Sequence, residues 1–362
     1  MDQPKKTAIY KIHVENFGRT INFSGWQMPL QFEEGVLAEH LWTRQSASLF
    51  DVGHMTILDI SSDQTEQLET ATPASIEPLR LNRMKYGTFT NSTGGIVDDF
   101  MITRISETTL RIVANSSRKE QVINHLNAAE VSTNHRTDLS MFAVQGPKAS
   151  EVIKQYEPDI DNLKFLQTSS ITVNDVEVEI SRSGYTGEDG FELTMNSAVA
   201  EKVANEILEH SAVKLAGLGA RDSLRLEAGM CLYGNDLDET TSPVEADLKW
   251  SIAKSKLENP NFLGSSRILK EIEEGPSRIR VGIASLNKKP IRPPADLKNS
   301  EGENIGIVTS GGFGPSVNKP VAMGYVKAEQ SAVGTELVAD VRGKEVECVV
   351  TELPFIANNY HR

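Results

Sequence analysis

The sequence predicts an α+β fold, with mixed helices and strands first and an almost entirely β C-terminal part. Helical and strand-like patterns alternate up to residue 275. Hairpin signals are frequent, which argues against an all-parallel doubly wound sheet. Beyond Gly275-Pro276-Ser277, short strands and turn residues follow one another, as in a small β-sandwich or barrel.

Apolar residues recur at helical spacing in several segments. These predicted helices span 34–49, 117–130, 197–210 and 265–274, and a glycine-containing loop at 217–219 runs into another. Ser116 or Ser117 is the expected N-cap of the second helix. The fourth helix should end at Gly275-Pro276, because these residues stop a helix, and we place a domain boundary there.

Strands are predicted where alternating or β-branched runs occur. They lie at 55–60, 87–105, 110–115 and 171–180, and in the C-terminal part at 280–285, 304–310, 322–326, 336–341 and 345–350. The run at 87–105 contains the turn cluster Asn91–Gly95 and is therefore expected to form a hairpin. Asn174-Asp175 supplies the turn of a second hairpin.

Composition and charge argue against several classes of protein. The 362 residues include 50 acidic and 37 basic side chains, and the net charge of −13 disfavours nucleic-acid binding. No run approaches the ~20 apolar residues that span a membrane. Cys231 and Cys348 lie far apart, which suits a reducing compartment. Since residues 1–13 lack the apolar core of a secretory signal, we expect a cytoplasmic protein, or a mitochondrial-matrix protein if the source is eukaryotic.

Common local motifs for nucleotides, metals and covalent serine catalysis are missing from the sequence. It contains neither a glycine-rich dinucleotide fingerprint nor a P-loop. It also lacks the G-x-S-x-G nucleophile elbow and the H-E-x-x-H zinc motif. We therefore expect neither a nucleotide nor a metal.

Two adjacent carboxylates, Asp98 and Asp99, open an apolar strand after Gly94-Gly95. Aspartate is depleted in strands, and neighbours on a strand point to opposite faces. One carboxylate should therefore be solvated and the other turned inward, with a perturbed pKa. Turn chemistry after the glycines explains the pair equally well.

Two glycine-containing segments and one histidine are further candidates. In 183–192, glycines would let the backbone approach a ligand, and Glu192 at the exit could bind an amidine-like N–C–N edge. A tight loop between two strands is the simpler explanation. Arg221, at a helix entry, could reach an anion or a carbonyl, or be structural. His54 could carry a proton, although a structural histidine is the more common case, and Met55 suits a packing surface.

Together these segments resemble the T-protein family of the glycine cleavage system, the tetrahydrofolate-dependent aminomethyltransferases. The shared motifs follow the family's order at 23–29, 48–55, 94–99, 143–147, 184–192, 217–236, 307–316 and 319–326. The combination of GYTGEDG and ARDSLRLEAG is highly specific. Ser24, Gly53, Gly312 and Gly314 depart from the family pattern, but none of them is a candidate for the chemistry.

The resemblance implies a three-lobed, cloverleaf-like arrangement around a central folate site. Residues 1–54 and 136–275 would form a discontinuous folate-binding lobe, and residues 55–135 a second α+β lobe. Residues 276–362 would form a C-terminal β-barrel, so the last boundary coincides with the predicted helix stop.

Site residues are also implied by the resemblance. Asp99 would be catalytic, Glu192 would bind the pterin, and Arg221 would contact folate. Six further matches are expected to line the pocket: Met55, Tyr86, Asn115, Tyr185, Trp250 and Tyr360. Arg292 matches a family arginine near the barrel, without an assigned role.

The implied reaction needs two substrates. Lipoylated H-protein would present an aminomethyl group on its dihydrolipoyl sulfur, and tetrahydrofolate would take the methylene carbon as co-substrate, with release of ammonia. Two alternatives stay open: a folate-dependent demethylase acting on a small methylated donor, and a non-enzymatic folate-binding protein that supports iron–sulfur cluster assembly. The presence of Asp99 and of GYTGEDG favours the aminomethyltransferase.

Overall fold

The computed structural model describes residues 3–362 and confirms an α+β fold. Its helices are α1 (Tyr10–Glu15), α2 (Gly35–Gln45), α3 (Thr65–Thr70), α4 (Lys119–Ala128), α5 (Ala149–Ile153), α6 (Ala200–Leu208), α7 (Leu218–Glu227), α8 (Lys254–Glu258) and α9 (Ser265–Glu274). Its strands are β1 (Lys5–Lys6), β2 (Arg19–Phe23), β3 (Trp26–Gln31), β4 (Ala47–Asp51), β5 (Thr56–Ser61), β6 (Met84–Thr90), β7 (Ile96–Arg104), β8 (Thr109–Ala114), β9 (Asn134–His135), β10 (Leu139–Gln145), β11 (Thr168–Val173), β12 (Val176–Ser181), β13 (Gly190–Asn196), β14 (Val213–Ala216), β15 (Arg278–Ser285), β16 (Ala295–Lys298), β17 (Asn304–Gly314), β18 (Lys319–Lys327), β19 (Glu336–Val341) and β20 (Lys344–Thr351). None of the helices in residues 3–362 is long and apolar enough to cross a bilayer.

A six-stranded sheet has the order β11-β12-β13-β10-β4-β14. Neighbouring strands are antiparallel except β4 and β14, which are parallel. Its buried core includes Phe142 and Leu193 from the sheet and Ile207 from α6. Asn174 and Asp175 both have positive φ, as a two-residue turn between right-twisted strands requires, so the predicted β11–β12 hairpin is confirmed.

The five-stranded sheet has the order β6-β7-β8-β5-β9 and carries the second predicted hairpin, β6–β7. In its turn, Oδ1 of Asn91 accepts hydrogen bonds of 3.0 Å from the backbone N–H groups of Thr93 and Gly95. Phe89 and Phe100 stack in the core beneath, with ring centroids 4.1 Å apart. The turn chemistry read from Asn91–Gly95 therefore places the start of β7.

The C-terminal strands form a closed barrel in the order β15-β18-β17-β16-β19-β20. Of the two architectures that the sequence left open, the barrel is the observed one. Inward-facing Ile283, Val308 and Leu337 fill it, together with the Cys348 side chain. Strand β16 was not predicted, because it has only four residues and directly follows Pro293-Pro294.

Two predictions about helices are wrong in detail. The helix predicted over 34–49 ends at Gln45, and Ala47–Asp51 forms β4, whose five residues are all buried. A strand that is buried on both faces shows no alternation of polar and apolar residues. Its apolar residues therefore look like a continuation of the helical pattern before it. The helix predicted from 117 begins at Lys119 after a 3₁₀ turn, and neither Ser116 nor Ser117 caps it.

Contacts between distant segments hold the C-terminal tail, α2 and α7 around the loop that precedes β13. The tail follows the barrel and reaches this loop, where the backbone N–H of Asn359 donates to the carbonyl of Gly187 at 2.8 Å. Arg44 on α2 forms ion pairs with Glu188 and Glu227, at 2.9 and 3.1 Å, with both carboxylates buried. The division into lobes at 54/55, 135/136 and 275/276 stays a prediction.

The close approach of β7 to the segment after Asp238 predicts that Gly95→Ala destabilises the protein. A Cβ atom at Gly95 would lie 1.7 Å from the carbonyl oxygen of Glu239, so the backbone must shift. We expect the apparent midpoint of thermal unfolding to fall by at least about 4 °C. Gly312→Ala is the matched control, because its Cβ would meet only Leu226 Cδ2 at 3.8 Å. Equal midpoints for the two variants would contradict this account of Gly95.

Candidate functional site

A cavity of about 1530 Å³ lies where the six-stranded sheet, the five-stranded sheet, α7 and the barrel meet. All nine residues predicted for the site line this cavity. They are Met55, Tyr86, Asp99, Asn115, Tyr185, Glu192, Arg221, Trp250 and Tyr360. Arg292, by contrast, is exposed near the start of β16 and does not belong to the lining. The structure thus brings the predicted set together, while the role of each residue stays a prediction.

The carboxylate pair lies on β7 at the wall of the cavity. Asp98 is fully buried, whereas Asp99 is half-buried and faces the cavity. Nδ2 of Asn115 donates to Oδ1 of both carboxylates at 2.8 Å. The hydroxyl of Tyr86 donates to Oδ2 of Asp99 at 3.1 Å. Adjacent carboxylates therefore share one amide, although they start from opposite faces of the strand.

Burial sets the protonation of this pair. Burial, followed by the neighbouring charge of Asp99, raises the pKa of Asp98 well above its usual value. Burial also raises the pKa of Asp99, while hydrogen bonds from Asn115 and Tyr86 oppose the rise. Two like charges this close do not both ionise readily. Burial thus favours the protonated form more strongly for Asp98 than for Asp99, which faces the cavity.

Aromatic side chains form the wall next to Asp99. The rings of Tyr86 and Trp250 pack with centroids 5.2 Å apart and planes inclined by 32°. Trp250 is nevertheless 68% exposed, so it lies where the cavity opens to solvent. Burial raises the pKa of Tyr86 well above its usual value, which keeps its hydroxyl a donor. This wall gives Asp99 an apolar, partly covered surrounding.

The loop before β13 owes its shape to Gln145, which lies beneath it. Nε2 of Gln145 donates to the carbonyl of Ser183 at 2.9 Å, and Oε1 accepts from Thr186 Oγ1 at 2.9 Å. A Cβ atom at Gly184 would lie 1.8 Å from Oε1 of Gln145, so a larger residue would displace the Gln145 amide from these hydrogen bonds. The GYTGEDG segment therefore closes tightly onto the AVQGP segment and directs the start of β13 along the cavity.

Of the three acids in residues 183–192, Glu192, which lies on β13, is the one that lines the cavity. Glu188 pairs with Arg44, and Asp189 pairs with the buried Arg182 at 2.5 Å. Oε2 of Glu192 accepts from Ser183 Oγ at 2.6 Å. Within residues 3–362 nothing donates to its Oε1, which leaves this oxygen for a ligand. The tight-loop explanation thus accounts for Glu188 and Asp189, and the ligand explanation remains for Glu192.

Arg221 lies in the first turn of α7, which the glycine at the N-cap brings close to β3. A Cβ atom at Gly217 would lie 2.5 Å from the carbonyl oxygen of Leu30. The guanidinium covers the ring of Tyr185 at 4.7 Å, and the Tyr185 hydroxyl is fixed by the carbonyl of Cys231. Nη1 of Arg221 is buried and has no hydrogen-bond partner in residues 3–362. Burial lowers the pKa of Arg221, because the charged guanidinium is removed from water. An anionic or carbonyl group of a ligand would therefore stabilise the guanidinium.

The C-terminal tail completes the cavity. Tyr360 stacks on Phe165 with ring centroids 4.1 Å apart and planes inclined by only 6°. The carbonyl of His361 accepts the backbone N–H of Phe165 at 2.8 Å and holds the tail in place. Burial raises the pKa of Tyr360 to about 12. Tyr360 is therefore a neutral aromatic wall residue.

Three further polar residues that line the cavity are His54, which the sequence suggested as a proton carrier or a structural histidine, and Arg225 and Arg280, which sequence reasoning did not single out. His54 lies in the lining, and burial lowers its pKa to about 4, so it is neutral at physiological pH. Its Nδ1 is buried without a partner in the described chain. Arg225 lines the cavity one helical turn after Arg221, a spacing that could have revealed it. No signal in the sequence marks Arg280, because only the barrel's position brings it to the cavity.

These groups suit an organic ligand with several polar edges. Glu192 offers an acceptor oxygen, Arg221 offers donors, and Asp99 offers a negative charge between aromatic walls. Across residues 3–362 no cluster of three or more His, Cys, Asp or Glu side chains has the arrangement to hold a metal ion. The expectation that neither a metal nor a nucleotide takes part stays a prediction.

Comparisons with known proteins agree on one family. The family described as GCVT N-terminal domain matches residues 9–256, and the glycine cleavage T-protein C-terminal barrel domain matches residues 278–356. The mitochondrial aminomethyltransferase of Solanum tuberosum is 38% identical over 371 residues, which cover 99% of this chain and 91% of the relative. The probable mitochondrial aminomethyltransferase of Schizosaccharomyces pombe is 39% identical over 367 residues, with 99% and 94% covered.

A solved structure gives the same result for the fold. The glycine cleavage system aminomethyltransferase T from Bartonella henselae superimposes with a TM-score of 0.92 and 38% sequence identity, and 99% of each chain is covered. Both family matches together extend over most of the chain. The chain therefore belongs to the glycine cleavage T-protein family.

Proposed function

We propose that this chain is the aminomethyltransferase of a glycine cleavage system. It transfers the methylene carbon from the aminomethyl-dihydrolipoyl arm of H-protein to tetrahydrofolate, giving 5,10-methylenetetrahydrofolate, ammonia and the free dihydrolipoyl arm. The observation that carries the proposal is the convergence of Asp99, Glu192 and the unpartnered Arg221 guanidinium in one cavity. Full-length relatives named aminomethyltransferase support the same activity.

The cavity has the donors and acceptors that a reduced folate needs. The pterin presents its amino group and a ring N–H side by side, and a carboxylate accepts such a pair in charge-assisted hydrogen bonds. Oε1 of Glu192 is available for one of them, and Oε2, which accepts from Ser183 Oγ, has a second lone pair for the other. The buried, unpartnered Nη1 of Arg221 is satisfied by an acceptor on the same ligand. This assignment gives a hydrogen-bond partner to Oε1 of Glu192 and to Nη1 of Arg221.

Asp99 acts at the reacting end of the cofactor. Tetrahydrofolate supplies the amine nitrogens N5 and N10, which take up the carbon. A negative carboxylate beside them stabilises positive charge that develops there, and it does so strongly because the cavity is partly closed to water. Hydrogen bonds from Asn115 and Tyr86 fix the carboxylate. We assign Asp99 to orientation and electrostatic stabilisation rather than to simple general-base catalysis.

The walls of the cavity contribute to the reaction by holding the two substrates close together. Two large substrates must meet in one place, and holding them together replaces an encounter in solution. Tyr86, Tyr185 and Trp250 line the region around Asp99 and exclude water from it. The exposed edge of Trp250 marks the opening through which the lipoyl arm of H-protein enters.

Cellular location is a separate question. The relatives from Solanum tuberosum and Schizosaccharomyces pombe carry the word mitochondrial in their names. For this chain, a cytoplasmic location, or a mitochondrial matrix location in a eukaryote, stays a prediction. Fractionation of the source organism with an antibody to the protein tests it.

Ammonia release from aminomethylated H-protein tests the proposed function. We expect release to require the protein and to accelerate strongly when tetrahydrofolate is present. A demethylase on the same scaffold would turn over a small methylated donor without H-protein. A folate-binding protein without activity would bind tetrahydrofolate but release no ammonia. Either of these two results would contradict the proposal.

Asp99→Asn should impair turnover while folate binding persists. The amide keeps the shape of the side chain but removes the negative charge that acts on the reacting nitrogens. We expect kcat to fall by about 100-fold or more, and the tetrahydrofolate Kd to stay within about threefold. Asp175→Asn, in the β11–β12 turn, is the control and should have wild-type kcat. Unchanged turnover in Asp99→Asn would remove Asp99 from the mechanism.

Glu192→Ala should have the opposite profile. Loss of charge-assisted hydrogen bonds to the pterin should raise the tetrahydrofolate Kd by about 10- to 100-fold. Isothermal titration with tetrahydrofolate measures the change directly. Glu201→Ala is the control, since Glu201 pairs with Lys11 on the surface, outside the cavity. Wild-type affinity in Glu192→Ala would show that the pterin lies elsewhere.

A further inference from the structure

Asp98 is a buried ionisable residue that the proposed function does not use. It is adjacent to Asp99 on β7 but is fully inaccessible to solvent. Burying a carboxyl group away from water costs free energy unless its oxygens find donors. Its environment therefore calls for a specific explanation.

Both oxygens of Asp98 are bound by a single residue, Asn115. The backbone N–H of Asn115 donates to Oδ2 at 3.1 Å, and its Nδ2 donates to Oδ1 at 2.8 Å. The first contact ties the carboxyl group of Asp98 to the backbone at Asn115, and the second fixes the rotamer of the Asn115 side chain. Because Oδ1 of Asp98 accepts in the second contact, this contact also fixes which end of the amide faces the aspartates.

The second amide hydrogen of Asn115 continues the chain of contacts to Asp99. Nδ2 of Asn115 lies 2.8 Å from Oδ1 of Asp99 and also 2.8 Å from Oδ1 of Asp98. The hydroxyl of Tyr86 holds the other oxygen of Asp99 at 3.1 Å. The carboxylate of Asp99 is thus held from both sides, and one side depends on Asp98.

From this geometry we infer that Asp98 is a positioning residue for the transfer reaction. By binding Asn115 with both oxygens, it directs the free amide hydrogen to Asp99 and holds that carboxylate toward the cavity. The inference rests on the proposed function, in which Asp99 acts at the reacting nitrogens.

The charged groups around Asp98 agree with this role. The charge of Arg118 acts on Asp98, but its Nε donates to the carbonyl of Val97 at 2.9 Å and its guanidinium pairs with Glu239. Tyr233 donates its hydroxyl to the carbonyl of Ile96 at 2.9 Å. No cation in residues 3–362 therefore forms an ion pair with Asp98. Its oxygens remain committed to Asn115, and each still accepts a hydrogen bond when the group is protonated.

Asp98→Asn separates this role from a structural one. The new side chain replaces one acceptor oxygen by a donor, so the Asn115 amide turns its own oxygen toward position 98. That oxygen then faces the Asp99 carboxylate and repels it. We expect kcat to fall by about tenfold, the loss that follows from one misplaced buried hydrogen bond. The KM for tetrahydrofolate should stay within about twofold.

A double-mutant cycle with Asp99→Asn provides the decisive comparison. If Asp98 acts through Asp99, adding Asp98→Asn to Asp99→Asn should lower kcat by less than about twofold. A structural role would give the same fold loss in both backgrounds. Asp51→Asn is the matched control, because Asp51 is a buried carboxylate that binds Thr7 and His13 instead. Its effect on kcat should be equal in the two backgrounds.

A crystal structure of Asp98→Asn tests the geometry without any assay. We expect the distance between the Asn115 side chain and Oδ1 of Asp99 to exceed 2.8 Å clearly, with the carboxylate displaced. Should Asp98→Asn fail to fold, Asn115→Ala takes its place, with a fall in kcat and a retained KM expected. Wild-type kcat in the variant, additive losses in the cycle, or an unmoved Asp99 would overturn the inference. Loss of tetrahydrofolate-dependent ammonia release already in the wild-type protein would instead overturn the proposed function.

Discussion

A negative carboxylate held at the wall of a partly closed cavity is the constraint on which the rest of this site depends. Asp99 must stay ionised although burial raises its pKa. Its neighbours favour this, since burial raises the pKa of Asp98 more strongly and Asn115 and Tyr86 donate hydrogen bonds to the Asp99 carboxylate. A charge of this kind is costly to bury but acts strongly on a bound ligand, because little water screens it. The aromatic walls limit the access of water to this charge, and the hydrogen-bond donors stabilise it.

The fold supplies the rigidity that such a site needs. The backbone comes very close to neighbouring atoms at Gly95 and at Gly184. These close contacts position β7 and the loop before β13. A Cβ atom at Gly95 would meet the backbone carbonyl of Glu239, and one at Gly184 would meet the side-chain amide of Gln145. The motifs that identify the family therefore contain residues needed for packing as well as residues proposed for the chemistry. In the loop before β13, Glu188 and Asp189 hold the shape, and Glu192 is left for the ligand.

Much of this was predictable from the sequence, and the failures have physical reasons. Turn chemistry at Asn174-Asp175 located a hairpin, because positive φ at two successive residues favours few residue types. The end of α2 was misplaced, since the buried strand β4 has no amphipathic period. The resemblance named nine lining residues, whereas Arg280 and the link from Asp98 to Asn115 were missed. Such contacts join residues far apart in the chain, and no local pattern encodes them.

A structure of the protein with bound tetrahydrofolate, or with a stable reduced analogue, tests the central claim most directly. We predict that an oxygen of Asp99 lies within hydrogen-bond distance of N5 or N10, about 3 Å, with the pterin edge on Glu192. Binding of the pterin in this cavity with both nitrogens remote from Asp99 would contradict the account, and so would binding at another place on the surface.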